Sequence, residues 1–239
     1  WTFDVDKILS FKFIDNDMYL ICEKQGDIYT FRMEINDLQK DNGLEHKVHL
    51  DNRINESNVS MEYNTGTGET TVVLPFYMSS PQVITRESNG YPSGYILTPV
   101  SISGNLLTFK GDITNELFYA GEKYLEHSTM TSINPQTQKV DIGGTVKLLK
   151  HSMTYDKTGY FKVNIERVNG GNNKTYEYYS KKLNDYMNDF EEYNVKSGVF
   201  KYSVKGENTQ VKLSISNDSH LPCNIQSSEY AYRFYKTTK

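Results

Sequence analysis

The chain has 239 residues, with 26 Lys and Arg against 30 Asp and Glu, and a formal net charge of −4. Aromatic residues make up 13% of the chain, which excludes a disordered protein, and the presence of only two alanines, Ala120 and Ala231, argues against a helical one. Because Val, Ile, Thr and aromatic residues suit a pleated, half-buried surface, we predict an all-β fold with little helix.

The sequence also limits the kinds of partner. The longest compact apolar run, residues 72–78, contains Pro75 and is far shorter than the roughly 20 residues of a membrane-spanning helix. No basic run is longer than Lys181-Lys182, so we do not expect tight binding of nucleic acid. The sequence starts at Trp1 without a Met or a leader pattern, and we expect it to be a fragment of a longer protein.

Residues 1–36 form the first predicted module, a compact antiparallel meander. Three short apolar runs recur at roughly ten-residue spacing and are separated by turn residues at 15–17 and 25–26. A sheet this small cannot bury both of its faces alone. It fits a late blade of a β-propeller, in which a neighbouring blade covers the open face, or one sheet of a sandwich.

Residues 37–125 form the second predicted module, which combines strands with long loops. We expect a linker near residues 37–43, a strand at residues 47–50 and a clear strand at Thr70–Phe76. The loop Gly66-Thr67-Gly68 precedes a strand, so it lacks the helix N-terminus that lets a Gly-rich loop hold phosphate. Pro, Gly and short apolar pieces alternate over residues 79–115 and predict loops with brief strands.

Residues 126–239 form the third predicted module, an antiparallel β-sandwich or barrel. Alternating apolar residues predict hairpins. The predicted turns lie at residues 156–159, 169–172, 206–208 and 217–219. We expect Tyr230, Tyr232 and Phe234 to share one face of the last strand. Residues 183–190 are the only stretch with helical spacing and predict at most a short helix.

The histidines and cysteines, the residue types that bind metals or react as thiols, do not cluster in the sequence. The five histidines are His46, His49, His127, His151 and His220. Only the first two are close in sequence, and a spacing of three along a strand places them on opposite faces, so we predict structural or solvated histidines. For Cys22 and Cys223 we predict two reduced, largely buried thiols, because their wide separation fits neither a metal cluster nor a secreted disulfide framework.

No pair of residues predicts catalysis. Glycoside hydrolysis needs two carboxylates across a cleft, and pairs such as Asp15/Asp17 and Glu191/Glu192 arise in any chain with 30 acidic residues. The first pair lies in a predicted turn, where Asp hydrogen-bonds its own backbone. Since no Gly-x-Ser-x-Gly elbow occurs either, we assign no catalytic, cofactor-binding or metal-binding residue and expect no enzymatic activity.

The carboxy-terminal third carries a resemblance to a known family. The runs concerned are residues 156–163, residues 198–204 and, as the strongest motif, residues 217–230. They resemble the end of the tail tubular protein B family, the nozzle proteins of short-tailed, T7-like bacteriophages. Further similar runs lie at residues 13–20, 50–53, 71–76 and 120–124, so the resemblance touches most of the chain. His220 and Tyr230 stand where that family usually has Pro and Trp.

The resemblance implies a structural virion protein without catalytic residues, made in the host cytoplasm. Six copies would form a ring-like nozzle below the tail adaptor protein, with tail fibres as further partners. The ring would enclose the channel through which double-stranded DNA leaves the capsid. Each cation that neutralises a phosphate adds affinity and hence friction. We therefore expect passage without tight binding, with acidic side chains facing solvent or the channel at Asp185, Asp189, Glu191 and Glu192.

A ring of identical subunits needs two different contact patches on each protomer. We expect loops at residues 79–115 and 126–139 to supply them. An alternative interpretation is a carbohydrate-binding or adhesin-like β-module, because the 19 tyrosines could form a sugar-stacking surface. A polysaccharide hydrolase is a further alternative, and it would need two carboxylates close together in a pocket.

Overall fold

The structure, a computed structural model, describes most of the chain. The described residues are 5–34, 40–41, 44, 46–86, 90–91, 93–123, 125–132, 144–180 and 195–236. Within them β-strands account for nearly all of the regular structure, and a single 3₁₀ turn at Glu56–Asn58 is the only helical segment. The prediction of an all-β fold with little helix is confirmed.

The chain divides into two compact units, Trp1–Glu122 and Lys123–Lys239. The three-module division expected from the sequence stays a prediction. Among its described residues the first unit has eleven strands: β1 (Lys7–Ile14), β2 (Asp17–Lys24), β3 (Asp27–Glu34), β4 (Asp51–Asn55), β5 (Ser60–Asn64), β6 (Glu69–Val73), β7 (Pro81–Thr85), β8 (Ile96–Leu97), β9 (Ser101–Ser103), β10 (Leu106–Lys110) and β11 (Phe118–Glu122). They form three antiparallel sheets with the strand orders β1-β2-β3, β5-β6-β10-β9 and β4-β11-β7-β8.

The meander predicted near the amino terminus is confirmed as the sheet β1-β2-β3. Two-residue turns join its strands, and Asp15, Gln25 and Gly26 adopt positive φ angles of 53°, 56° and 88°. Positive φ in a two-residue turn matches the twist of the strands that it joins. Turn chemistry therefore fixes the register of this sheet locally.

The first unit packs this sheet against its main core through aromatic side chains. Phe76 follows β6, and its ring lies 5.3 Å from that of Tyr29 and 6.3 Å from that of Phe31, both on β3. Edge-to-face aromatic pairs add about 0.5–1.5 kcal/mol each beyond the area that they bury. The β3 side of the sheet is therefore held on the core.

At β1 the same face of the sheet is exposed. Phe11 pairs with Leu20 and Phe13 with Met18, so these four side chains share one face. Leu20 and Met18 are buried, whereas Phe11 is 62% exposed and Phe13 is 56% exposed. An apolar face that the core covers at β3 thus continues into solvent at β1.

Two predictions for the first unit need correction. Residues 47–50 are not a strand. Side chains take the backbone hydrogen bonds of Val48 at their centre: its amide donates to Asp41 Oδ2 at 2.7 Å, and its carbonyl accepts from Arg53 at 3.1 Å. The strand predicted at Thr70–Phe76 is β6, which ends at Val73, two residues before Pro75. The linker predicted at residues 37–43 lies mostly outside the described residues.

The second unit has seven strands among its described residues: β12 (Glu126–Thr129), β13 (Gly144–Thr158), β14 (Tyr160–Arg167), β15 (Lys174–Tyr179), β16 (Lys196–Glu207), β17 (Val211–Asn217) and β18 (Ile225–Lys236). They form two antiparallel sheets, which we call sheet I (order β12-β17-β14-β15) and sheet II (order β16-β13-β18). One apolar cluster draws on both sheets. Phe161 of β14 is fully buried in it, and its ring lies 5.3 Å from that of Phe200 on β16.

Strand β13 keeps its apolar side chains in the core by means of a β-bulge at Leu149. Val146 and Leu148 are buried before the bulge, and His151 and Met153 are buried after it. The register of β13 shifts between Leu148 and Lys150 against both neighbouring strands. One extra residue thus moves the buried positions from even to odd numbers.

Two of the turns predicted in this unit are crossings between sheets and not hairpins. Residues 156–159 lead from β13 in sheet II to β14 in sheet I, and residues 206–208 lead from β16 to β17, again between sheets. A Cβ atom on Gly159 would lie 2.7 Å from that of Leu221, so close packing requires glycine there. The turn at residues 169–172 does join paired strands, as predicted. The helix predicted at residues 183–190 lies outside the described residues.

Candidate functional site

The outer face of sheet I carries charged side chains that are paired across strands. Lys162 lies 3.0 Å from Asp218 and 3.9 Å from Glu177, and Lys212 lies 4.0 Å from Glu166. A contact with the Tyr160 hydroxyl raises the pKa of Lys162, and Asp218 raises it further. The lysines of this face are therefore neutralised locally.

The outer face of sheet II carries four exposed cations, two of which have only uncharged cross-strand partners. Lys147, Lys150, Lys201 and Arg233 are all exposed, and within the described part of the chain none of them forms an ion pair. The cross-strand neighbours of Lys150 and Lys201 on this face are Ser203, Ala231 and Ser152. Lys147 lies between Glu207 and Arg233. We call these four cations the basic face.

The inner side of sheet II is bridged by a fully buried histidine. The two ring nitrogens of His151 on β13 hydrogen-bond the Tyr202 hydroxyl on β16 and the Ser228 hydroxyl on β18. The ring stacks on Tyr230 at 4.1 Å. Burial lowers the pKa of His151 from 6.5 to about 4, so the imidazole is neutral at pH 7. One nitrogen then donates and the other accepts, which links all three strands.

The Ser228–His151 contact resembles part of a hydrolase triad but has different chemistry. The third member is the phenol of Tyr202, where a triad has a carboxylate that stabilises the charged imidazole. A histidine with a pKa near 4 is also a weak general base at neutral pH. The arrangement is therefore suited to holding strands together.

In the first unit, two arginines enclose a tyrosine. The guanidinium carbons of Arg53 and Arg86 lie 4.5 and 5.4 Å from the centre of the Tyr119 ring. Arg53 pairs with Asp41 at 2.6 Å, and Arg86 pairs with Glu56. Partly buried charges that are paired in this way hold neighbouring loops on the sheet. The cluster thus joins residue 41 and the 3₁₀ turn to β4, β7 and β11.

The carboxylates considered for catalysis do not come together in a described cleft. Asp15 lies in the β1–β2 turn, and Asp17 pairs with Arg32 at 2.8 Å within the meander. Glu191 and Glu192 lie outside the described residues, as do Asp185 and Asp189, for which we expected a channel-facing position. The hydrolase interpretation and the channel-facing acids stay predictions.

The histidines are distributed over both units. His46, His151 and His220 are buried, and His127 lies 3.2 Å from the Thr129 hydroxyl. Among the described residues, no group of three His, Cys, Asp or Glu side chains is placed to hold a metal ion.

Both cysteines are free thiols, as predicted. Cys22 is buried in the first unit, and Cys223 is half-buried at a cleft of about 390 Å³ between β12, β17 and the start of β18. Burial, followed by the nearby Glu126, raises the pKa of Cys223 to about 12. Because the thiolate is the reactive form, this thiol is unreactive at neutral pH.

Many tyrosines pack inside the sheets. Tyr155, Tyr160 and Tyr202 are buried, and Tyr176 and Tyr178 pack against the core of the second unit. Exposed tyrosines occur at separate places, among them Tyr77 and Tyr179. Packing accounts for much of the tyrosine content, and a sugar-binding role stays a prediction.

The chain thus consists of two compact β-units, and the second carries ion pairs on the outer face of sheet I, the basic face on sheet II and the buried His151 bridge. The sequence model of the family described as bacteriophage nozzle protein matches residues 1–239. The chain belongs to the bacteriophage nozzle protein family. No curated protein matches it. The protein is therefore a structural component of the phage tail and part of the virion, as the resemblance implied.

Membership of the nozzle family leaves finer predictions open, among them the T7-like type and the lack of enzymatic activity. Within the described segments there is no helix with the length and apolar character needed to cross a bilayer. The His151 bridge and the Arg53–Tyr119–Arg86 cluster were not predicted from the sequence. The sequence does indicate that His151 is buried, because it is two residues from Met153 and so lies on the same side of β13.

Proposed function

We propose that the chain is part of a tail nozzle of the T7-like type, in which six copies form a ring around the channel for genome ejection. The observation that carries this proposal is the match of the nozzle family over residues 1–239. The architecture supports it, because antiparallel sheets that share aromatic cores are suited to a rigid wall.

Ring formation requires each protomer to present two different patches to its neighbours. We assign these patches to residues 79–115, which carry β7 to β10, and to residues 126–139, which begin with β12. The tail adaptor protein and the tail fibres are the further partners.

The sheet β1-β2-β3 acts as a blade of a β-propeller in this proposal. Its apolar face is covered at β3 by Phe76 and exposed at Phe11 and Phe13. In a propeller the adjacent blade covers such a face.

Electron cryo-microscopy of virions tests the proposal. An epitope tag inserted at Gly170-Gly171, in the exposed turn between β14 and β15, marks the chain, and untagged virions are the control. We expect six tags arranged around a central channel of the tail. A tag found in the capsid or in the fibres, or a copy number incompatible with a six-fold ring, would contradict the assignment.

A further inference from the structure

Cations are concentrated on one sheet of this acidic chain. Strands β13, β16 and β18 contain eight Lys and Arg against three Asp and Glu, whereas the whole chain has 26 against 30. The three strands form sheet II, and four of these cations, Lys147, Lys150, Lys201 and Arg233, are exposed on its outer face. The asymmetry therefore belongs to one surface of the second unit.

The strand register gives the basic face a defined layout. Lys147 and Arg233 are direct cross-strand partners, Lys150 follows beyond the bulge, and Lys201 pairs with Ser152. With a rise of about 3.4 Å per residue, the four cations fall within roughly 14 Å along the strands. B-form DNA presents about eight phosphate charges over that length, since it carries one charge per ~1.7 Å of axis.

The uncharged residues between the cations favour phosphate as the ligand. On the same face, Ser152 and Ser203 neighbour Lys201 and Lys150, and Thr154 pairs with Ser227 in the next row. Hydroxyl side chains of this kind donate hydrogen bonds to phosphate oxygens and, together with Lys and Arg, make most protein contacts to the DNA backbone.

We propose that the basic face of sheet II contacts the phosphate backbone of double-stranded DNA as the DNA passes through the nozzle. This inference rests on the proposed channel function and names the surface that touches the DNA. Glu207 and Glu229 lie on the same face and reduce its net charge, so the contact is weak and reversible. Four cations guide a moving duplex without holding it.

Binding of the 239-residue chain to a 30-base-pair duplex of random sequence tests this proposal, measured by fluorescence anisotropy between 20 and 150 mM salt. We expect detectable binding at the lowest salt and a Kd no tighter than about 10⁻⁴ M at 150 mM. The slope of log K against log salt should be about −3 to −4, because each neutralised phosphate contributes about −0.9.

Two matched triple variants locate the binding surface. K147Q/K150Q/K201Q removes three charges from the basic face and should make the slope shallower by about 3. K162Q/K174Q/K212Q removes the same number of charges from sheet I, and with this variant the slope of log K against log salt should keep at least two thirds of its value. Thermal unfolding of each variant verifies that it is folded. Equal loss in both variants would overturn the proposal, since binding would then follow total charge and not one face.

A polyglutamate probe separates DNA from an acidic protein partner. Binding of polyglutamate as tight as that of the duplex, and dependent on the same three lysines, would overturn the assignment to DNA. Electron cryo-microscopy of the tagged virions distinguishes this outcome from failure of the proposed function. If the chain is absent from a six-fold tail ring, the proposed nozzle function is wrong, whatever the isolated chain binds. If the ring is intact but K147Q/K150Q/K201Q binds DNA as the unchanged chain does, only the assignment of DNA contact to the basic face is wrong.

Discussion

Sheets I and II of the second unit share one core but differ in what they do with charge. On sheet I, Lys162 and Lys212 face carboxylates across the strands, whereas on sheet II Lys150 and Lys201 face Ser and Ala. In sequence these lysines look alike, since each alternates with apolar residues. The cross-strand neighbour, and not the residue itself, decides whether a lysine is neutralised or available to a ligand.

The contact between the two sheets gives the largest expected effect. Phe161 is fully buried and its ring packs on Phe200 of the opposite sheet at 5.3 Å. We expect Phe161→Ala to lower the free energy of unfolding by about 3–5 kcal/mol, because it leaves a cavity between the sheets. Urea unfolding measures this loss. Val199→Ala, at a position that is 53% exposed, is the control and should change stability by less than about 0.5 kcal/mol.

The buried bridge of sheet II predicts that stability depends on pH between 6.5 and about 4. The pKa of His151 is about 4 in the folded chain and 6.5 when exposed. Above 6.5 the imidazole is neutral in both states, and its contribution to stability is complete. Between 6.5 and about 4 only the unfolded chain takes up the proton, so the free energy of unfolding falls as the pH is lowered, by up to about 3 kcal/mol.

His151→Phe isolates this contribution. The variant should be less stable at pH 7, because Tyr202 and Ser228 lose a partner, but its stability should fall less between pH 7 and pH 4 than that of the unchanged chain. Urea unfolding at several pH values measures both slopes, and replacing the exposed His127 with Gln is the control. Identical slopes for His151→Phe and the unchanged chain would rule out His151 as the titrating group.

The smallest expected effect compares single lysines on the two outer faces. Lys162→Gln breaks the pairs with Asp218 and Glu177 and should cost about 0.2–1 kcal/mol at low salt. Lys150→Gln removes no ion pair among the described residues and should be neutral within about 0.5 kcal/mol. Adding 1 M salt should narrow the difference between the two variants. A larger cost at Lys150 would show that the basic face is needed for stability.

Local chemistry made part of this fold predictable. Turn residues at Asp15 and Gly26 defined the meander, and the alternation of Phe161, Val163 and Ile165 predicted β14 and its buried face. The turn at Asn217-Asp218-Ser219 is also confirmed, since the Ser219 amide donates to Asn217 Oδ1 at 2.9 Å. Each of these features depends on residues close together in sequence.

Features set by distant residues escaped prediction. Asp156 to Gly159 looks like a hairpin turn, but Leu221 packs where a side chain on Gly159 would lie, and the chain crosses to the other sheet. Residues 47–50 look like a strand, but Asp41 and Arg53 take the backbone hydrogen bonds of Val48. The basic face was missed for the same reason, because it is assembled from three strands and appears as no run in the sequence.

The crossing at Gly159 is fastened to a second segment late in the chain. The Gly159 amide donates to the Pro222 carbonyl at 2.8 Å, and the Asn224 amide donates to the Thr158 hydroxyl at 2.9 Å. These partners are separated by more than sixty residues, so these two hydrogen bonds form only after nearly the whole unit has been synthesised and both sheets have met. Folding of this unit should therefore be slow and cooperative, and the newly made chain depends on remaining unaggregated until its last strands arrive.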